Sequence, residues 1–231
     1  MDLQAVKEEV KPVIPLKSGG SYALMWELFY TARLLKYTTP RHLKAVKPTF
    51  SKICSKKKLL ALCDLGYLKN PQGEVFCATD KARDVLEEVG YNPKLLPGEP
   101  KGKGDVNELN NTEVFIDCLK HPYYKALLFP RFPIDKPYVI PDALLVLAKD
   151  NRYKLAFLEI ESEKTNWQDH LENKRENYNR LACDKIVYSF WMSFAPLLDL
   201  PIPDRNMFCF SVWCIGDFRS DWPGWVFKNE I

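Results

Sequence analysis

The 231-residue sequence has no apolar run that approaches the roughly 18 residues of a membrane-spanning helix. It has no glycine-rich phosphate loop, since the Ser-Gly-Gly at 18–20 lacks the required lysine. Its seven cysteines are scattered without a C-x-x-C pair, which argues against disulfides and a zinc knuckle. Its three histidines show no metal-ligand spacing, and residues 1–17 differ from a secretory signal. These absences predict a cytoplasmic protein without a membrane segment.

Charge is distributed unevenly along the chain. Residues 1–104 hold 18 basic and 11 acidic side chains (net +7), whereas residues 105–231 hold 15 and 19 (net −4). The segment 38–58 contains no acid and seven basic residues: Arg41, Lys44, Lys47, Lys52, Lys56, Lys57 and Lys58. This asymmetry predicts that the first part contacts a polyanion and the second holds cations. A solvated helix face is the alternative for the basic segment.

The first ninety residues show a pattern of helices interrupted by one hairpin. Thr39 followed by Pro40 is typical of a helix start, because threonine caps and proline suits the first helical position. In the third helix Ile53 and Leu60 are expected inside, with the lysines mostly opposite. The predicted elements are a flexible arm (1–20), a helix from residue 21, helices at 40–47, 52–65 and 80–89, and a hairpin at 67–78.

The segment LLALCDLGYLKNPQGEVFCATDKARDVL (59–86) resembles the third helix, wing and following helix of the winged-helix family. The resemblance implies a DNA-binding domain at 21–91, whose third helix enters the major groove. Its lysines are expected to contact phosphates, because an ammonium is a point charge without a planar fork. A module that only mediates dimerisation is the alternative. Residues 92–107, rich in proline, glycine and lysine, are interpreted as a linker.

A second hairpin is predicted around the polar turn at 149–152, between two runs of β-forming residues. If Ala148 pairs with Tyr153, Asp142 lies directly opposite Glu159, with Cβ atoms about 5 Å apart. Glu161 shares the face of Glu159 because it is two residues further along the strand. Carboxylates facing one another need a compensating cation or raised pKa values. Oxygen ligands of this kind suit Mg²⁺ or Mn²⁺.

Pro141-Asp142 followed by Glu159-x-Glu161 is similar to the motif of the PD-(D/E)xK nuclease superfamily. The segments PDALLVL and FLEIESEKTNWQDHLENKRENYNRL resemble the replication-relaxation family of plasmid and mobile-element proteins. That resemblance implies an α/β (α+β) fold: an N-terminal winged helix, then a restriction-endonuclease-like mixed sheet flanked by helices at 108–231. From the residues themselves we expect a helix at 113–119, capped by Asn111 or Thr112, and a connecting segment at 126–132. Strands are expected at 185–191 and 207–214.

The resemblance also implies roles for five residues. Asp142 and Glu159 would be metal ligands; Glu161, which occupies the position of the usual motif lysine, would be a third ligand or would orient water. Lys174 is a candidate relocated lysine, and Glu113 matches an additional metal-binding acid. The alternatives are strand-end surface carboxylates for Asp142 and Glu159, a lysine that snorkels, and a first-turn helix acid.

Lys174 belongs to a helical stripe that supports its assignment. Trp167, Leu171, Lys174, Tyr178 and Leu181 fall on one face of the predicted helix. We therefore expect Lys174 to point toward the sheet that carries the acidic residues. Three tryptophans near the end of the chain either stack on bases or, with better support, pack in the core or at an edge: Trp213, Trp222 and Trp225.

These observations predict a Mg²⁺- or Mn²⁺-dependent DNA endonuclease or nickase of a plasmid or other mobile element. Two alternatives stay open. One is a regulator of replication or transcription that binds DNA and whose nuclease fold has lost its activity, and the other is a protein-interaction domain. DNA is the expected partner in the first two cases, and a homodimer is compatible with each.

Overall fold

The computed structural model describes residues 13–15, 21–23, 31, 35–49, 51–88, 96, 106–129, 139–160, 167–183, 186–198, 200, 204–216 and 220–228. It is a mixed α/β protein with three sheets, so the coarse fold class predicted from the sequence is confirmed. Contacts divide the chain into two compact units, Met1–Pro122 and Tyr123–Ile231. Among the described residues, no helix has both the length and the apolar character to cross a membrane.

The first unit combines four helices with two small sheets in its described part. Strands β1 and β2 pair antiparallel, and the second sheet has the order β3-β5-β4. Its elements are β1 (Val13–Pro15), β2 (Ser21–Ala23), β3 (Tyr37–Thr38), α1 (Pro40–Val46), α2 (Lys52–Asp64), β4 (Leu68–Gln72), β5 (Val75–Ala78), α3 (Asp80–Glu88) and α4 (Val106–Lys120).

Helices α1 to α3 and the β4-β5 hairpin confirm the corresponding sequence predictions. The Thr39 hydroxyl accepts a hydrogen bond from the His42 backbone N–H (3.3 Å), so threonine caps α1 as expected. The pairing of β1 with β2 contradicts a flexible arm at 13–15 and a helix beginning at Ser21. Apart from Thr31 and Leu35, the rest of the predicted first helix lies outside the described residues.

Helix α2 departs from the expected division between apolar and basic sides. Leu59 and Leu62 are buried, but Ile53 is 70% exposed and Leu60 45% exposed. Both exposed residues therefore share the solvent side with the lysines, and the prediction that they face the core is wrong. The reason is spacing: the buried face repeats through Ser55, Leu59 and Leu62 at three- and four-residue intervals.

Helix α4 packs within the first unit, whereas the sequence placed residues from 108 onward in the second domain. The buried Thr112 hydroxyl lies 2.8 Å from the Tyr37 carbonyl oxygen and 3.2 Å from that of Leu35, and donates to both. Thr112 is thus an internal anchor of α4 and not the cap of a helix at 113–119. Its contact with the start of β3 explains why the division between units falls after Pro122.

The second unit is built on a five-stranded mixed sheet of order β10-β9-β8-β7-β6. Strands β6, β7 and β8 are antiparallel neighbours, while β8, β9 and β10 run parallel. Its elements are β6 (Tyr124–Leu128), β7 (Ala143–Lys149), β8 (Arg152–Ile160), α5 (Trp167–Cys183), α6 (Ile186–Phe194), two short 3-10 helices (Ala195–Leu198 and Arg205–Met207), β9 (Phe208–Ile215) and β10 (Trp225–Lys228).

Two predictions for this unit are wrong and one is confirmed. Strand β6 occupies the predicted connecting segment, because it pairs with β7 and buries Leu127 and Leu128. Helix α6 replaces the predicted strand at 185–191. Its residues have strand propensity, but Val187 and Trp191 are buried at helical spacing, and packing overrides propensity. Strand β9 confirms the strand predicted at 207–214.

Candidate functional site

The β7-β8 hairpin has the register that the sequence predicted. Ala148 pairs with Tyr153, and the last register pair toward the open end is Ala143 with Leu158. Asp150 and Asn151 both have positive φ (49° and 60°), the backbone of a two-residue turn that matches the twist of the strands. The predicted alignment of the two strands is confirmed.

Asp142 lies immediately before β7, at the open end of the hairpin. Its backbone N–H donates to the Leu158 carbonyl (3.0 Å), and its Oδ2 accepts from the Ile160 backbone N–H (2.8 Å). The side chain is exposed, but these two bonds fix it beside the end of β8. Asp142 is therefore held across from Glu159, as the register requires.

Glu159 is a buried carboxylate on the central strand of the sheet. Its side chain is 1% exposed and lies under α5. Lys174 Nζ donates to Oε2, and the Tyr178 hydroxyl donates to Oε1 at 2.6 Å. Lys174 and Tyr178 are four residues apart and so lie on one helical face. The placement of Lys174 beside the acidic pair confirms the direction predicted for its side chain.

The electrostatic environment of Glu159 favours its protonated form. Burial and, secondarily, the Asp142 carboxylate raise the pKa of Glu159 to about 7, against the lowering effect of Lys174 and Tyr178. Burial and the neighbouring Glu159 raise the pKa of the Tyr178 hydroxyl well above its usual value, so it remains a hydrogen-bond donor. The site thus holds a carboxyl group that gains or loses its proton near neutral pH.

A cleft of about 290 Å³ opens beside this carboxylate. Residues of one face of α5 line it together with Val139 and Ile140, which precede β7. The lining residues are Val139, Ile140, Glu159, His170, Asn173, Lys174 and Asn177. Glu159 is therefore reached through this opening.

The carboxylates at this site fit a divalent cation. Mg²⁺ is commonly held by one or two carboxylates and keeps several waters, so Asp142 and Glu159 supply sufficient protein donors. The expected third acid, Glu161, lies outside the described residues. Across the described ranges, no group of three or more acid, histidine or cysteine side chains has the arrangement of a metal site. Among the described residues, Asp142 and Glu159 are therefore the carboxylates that would hold the cation.

Glu113, the other candidate acid, lies on α4 in the first unit. Its Oε1 is 3.1 Å from His42 Nε2 and 4.0 Å from an Arg41 guanidinium nitrogen. Burial lowers the pKa of His42, although Glu113 opposes that shift. The described geometry places Glu113 in a pair with His42.

Most of the basic residues predicted to contact nucleic acid are exposed on the first unit. Lys56 Nζ bonds to Glu74 Oε1 of the β4-β5 hairpin (2.6 Å), and this contact lowers the pKa of Glu74. Lys47 is half-buried, while six of the predicted residues are exposed: Arg41, Lys44, Lys52, Lys56, Lys57 and Lys58. These side chains lie on α1 and α2 or next to them. The basic segment therefore presents its charge to solvent.

Sequence reasoning missed part of this site. Tyr178 was assigned to the apolar stripe, yet its hydroxyl bonds to Glu159; Leu171 and Leu181 of the same stripe are buried. The side chain of Trp167 lies outside the described residues. Asn173 and Asn177 were not singled out, although with His170 and Lys174 they follow the three- and four-residue spacing of one helical face. Helical periodicity from Lys174 was the signal that could have identified them.

Trp213 and Trp225 pack as the better-supported prediction expected, and Trp222 is half-buried. Trp213 is 4% exposed and donates to the Ser211 hydroxyl (2.8 Å). Trp225 is buried, and its ring meets Tyr178 edge to face at 5.5 Å. Trp225 thus packs against α5, and Trp213 is buried in the sheet.

No family of proteins, no curated protein and no solved structure was found to match this chain.

Proposed function

We propose that the chain is a metal-dependent DNA endonuclease or nickase, with a winged-helix first unit and a PD-(D/E)xK-type second unit. The observation that carries the proposal is the convergence of Asp142, Glu159 and Lys174 at one end of the β7-β8 hairpin. Two acids at the end of a hairpin in a mixed sheet, with a lysine from the helix that covers them and a cleft beside them, are groups that support phosphodiester hydrolysis.

Each residue has a distinct task in this proposal. Asp142 and Glu159 would hold Mg²⁺ or Mn²⁺; the chemistry that the cation supplies when bound is polarisation of the phosphodiester and acidification of water. The Ile160 N–H fixes Asp142, and Tyr178 fixes Glu159. Lys174 keeps positive charge beside Glu159, which favours its ionised, metal-binding form, and places that charge where negative charge develops on phosphate oxygens.

Cleavage provides the direct test. Wild-type protein with Mg²⁺ or Mn²⁺ is expected to cut or nick supercoiled plasmid. Asp142→Asn is expected to slow cleavage by about a hundredfold or more. Loss of a residue that only hydrogen-bonds to a metal ligand costs up to about a hundredfold in activity, and loss of the ligand itself should cost at least as much. The substitution keeps the acceptor for Ile160. Asp150→Asn, in the exposed turn of the same hairpin, is the matched control and should cleave normally. Failure of wild type on plasmid, flap and single-stranded substrates in both metals contradicts the proposal.

A DNA-binding regulator without catalysis is the second candidate. The observation that favours it is that both carboxylate oxygens of Glu159 already accept hydrogen bonds. Calorimetry with Mn²⁺ alone separates the two functions. A nuclease is expected to bind the ion at millimolar concentration or better, with loss of binding in Glu159→Gln. Absence of such binding in wild type supports the regulator.

The basic segment gives a separate test of DNA binding. The Lys52→Ala/Lys57→Ala variant is expected to reduce the slope of log K against log salt by about two, because each phosphate contact contributes about 0.9. Fluorescence anisotropy of a labelled duplex, at salt concentrations from about 50 to about 200 mM, measures this slope. Lys125→Ala, an exposed lysine of the second unit, is the control. An unchanged slope would favour a first unit that mediates dimerisation.

A further inference from the structure

The cleft beside Glu159 is lined by two chemically different kinds of side chain. Ile140 is 55% exposed and contributes an apolar surface. The α5 residues His170, Asn173 and Asn177 contribute polar groups, and Glu159 and Lys174 also line the cleft. A ligand in this space therefore meets both an apolar group and polar groups.

The amides of Asn173 and Asn177 are available to such a ligand. Neither amide has a hydrogen-bond partner within the part of the chain that the structure describes. The two residues are four apart on α5, so their side chains lie side by side. Each offers two donors and an acceptor, which suit phosphate oxygens and base edges.

The burial of Glu159 limits what can react there. Its side chain is 1% exposed, so a phosphodiester reaches it only by entering the cleft. A volume of about 290 Å³ is at the lower end for small-molecule sites, and has room for one nucleotide but not for two paired strands. Drawing a nucleotide out of a duplex costs unstacking and unpairing energy, whereas a single strand offers it freely.

We propose that this cleft binds one unpaired nucleotide of single-stranded DNA, held by Asn173 and Asn177 against Ile140. The inference rests on the proposed function and specifies its substrate: a single strand, flap or unpaired end next to the phosphodiester that is cut. Asn173 and Asn177 are binding residues for this substrate, and the carboxylates and Lys174 act on the adjacent phosphate.

Binding without cleavage tests the cleft. The full chain in EDTA is titrated into a fluorescein-labelled single-stranded oligonucleotide and, separately, into its duplex form. The Asn173→Ala/Asn177→Ala variant is expected to bind the single strand about tenfold more weakly or worse, as expected for losing hydrogen bonds to charged groups, with duplex affinity unchanged within about twofold. Asn179→Ala is the matched control, since Asn179 is exposed on α5 and does not line the cleft. It should bind both probes as wild type does.

The outcomes separate this inference from the proposed function. Equal single-strand affinity in wild type and the double variant, or equal losses on both probes, overturns the inference. Single-strand binding that depends on the two amides supports the cleft assignment even if wild type cleaves nothing. Absence of cleavage would refute only the nuclease proposal. When cleavage is observed, the double variant should lose rate on a single strand or flap while thermal unfolding stays unchanged. If the double variant cleaves every substrate as fast as wild type does, the inference is overturned and the nuclease proposal stays intact.

Discussion

Lys174→Met is expected to lower the free energy of unfolding by about 1 to 2 kcal/mol at pH 8, since the buried Glu159 then has to take up a proton that it has mostly lost in the wild type. Glu159 is 1% exposed, and only Lys174 brings a positive charge to its carboxylate among the groups that shift its pKa. Without that charge the pKa of Glu159 rises above its value of about 7. Urea unfolding followed by tryptophan fluorescence measures the loss.

The pH dependence of this loss identifies its cause. At pH 5 Glu159 is protonated in the folded variant, so the missing charge matters less and the destabilisation should shrink. Glu159→Gln added to Lys174→Met should restore most of the stability at pH 8, because no buried charge remains. Lys125→Met, an exposed lysine of the same unit, should have little effect. Equal losses at both pH values, or no rescue by the second substitution, would refute a charge-based explanation.

The acidic pair could be predicted because its geometry depends on local sequence. A two-residue turn fixes the register of a hairpin, and the side chains on each strand alternate, so Asp142 and Glu159 follow from Ala148 and Tyr153. Lys174 followed from the helical period for the same reason. Local rules of this kind need no knowledge of how the elements pack.

The errors fall where long-range contacts decide the structure. Residues 186–194 have strand propensity, but burial of Val187 and Trp191 against their neighbours selects a helix. Strand β6 exists because β7 supplies its hydrogen bonds, and its own sequence gives little sign of pairing. The Tyr178 hydroxyl was missed because the same residue satisfies an apolar stripe and a buried carboxylate. Its second role depends on which strand lies beneath it.

Glu159→Gln is expected to gain stability relative to wild type as pH rises. The pKa of Glu159 is raised from 4.5 to about 7 in the folded protein, so its contribution is fully present below pH 4.5 and is lost as pH rises through 7. A shift of this size corresponds to about 3 kcal/mol. The glutamine does not titrate, and Lys174 is partly exposed and can reach solvent. The free energy of unfolding of the variant minus that of wild type should therefore increase by about 3 kcal/mol between pH 4 and pH 8.

Urea unfolding at several pH values in this window measures the difference directly. Burial also lowers the pKa of His42, but His42 is present in both proteins and its contribution cancels in the subtraction. Glu172→Gln, an exposed glutamate on α5, is the matched control and should show a difference that stays near zero. A difference that is independent of pH, or that falls as pH rises, would mean that the folded protein favours the ionised carboxylate. Glu159 would then be charged throughout the neutral range, and its burial would be fully compensated by Lys174 and Tyr178.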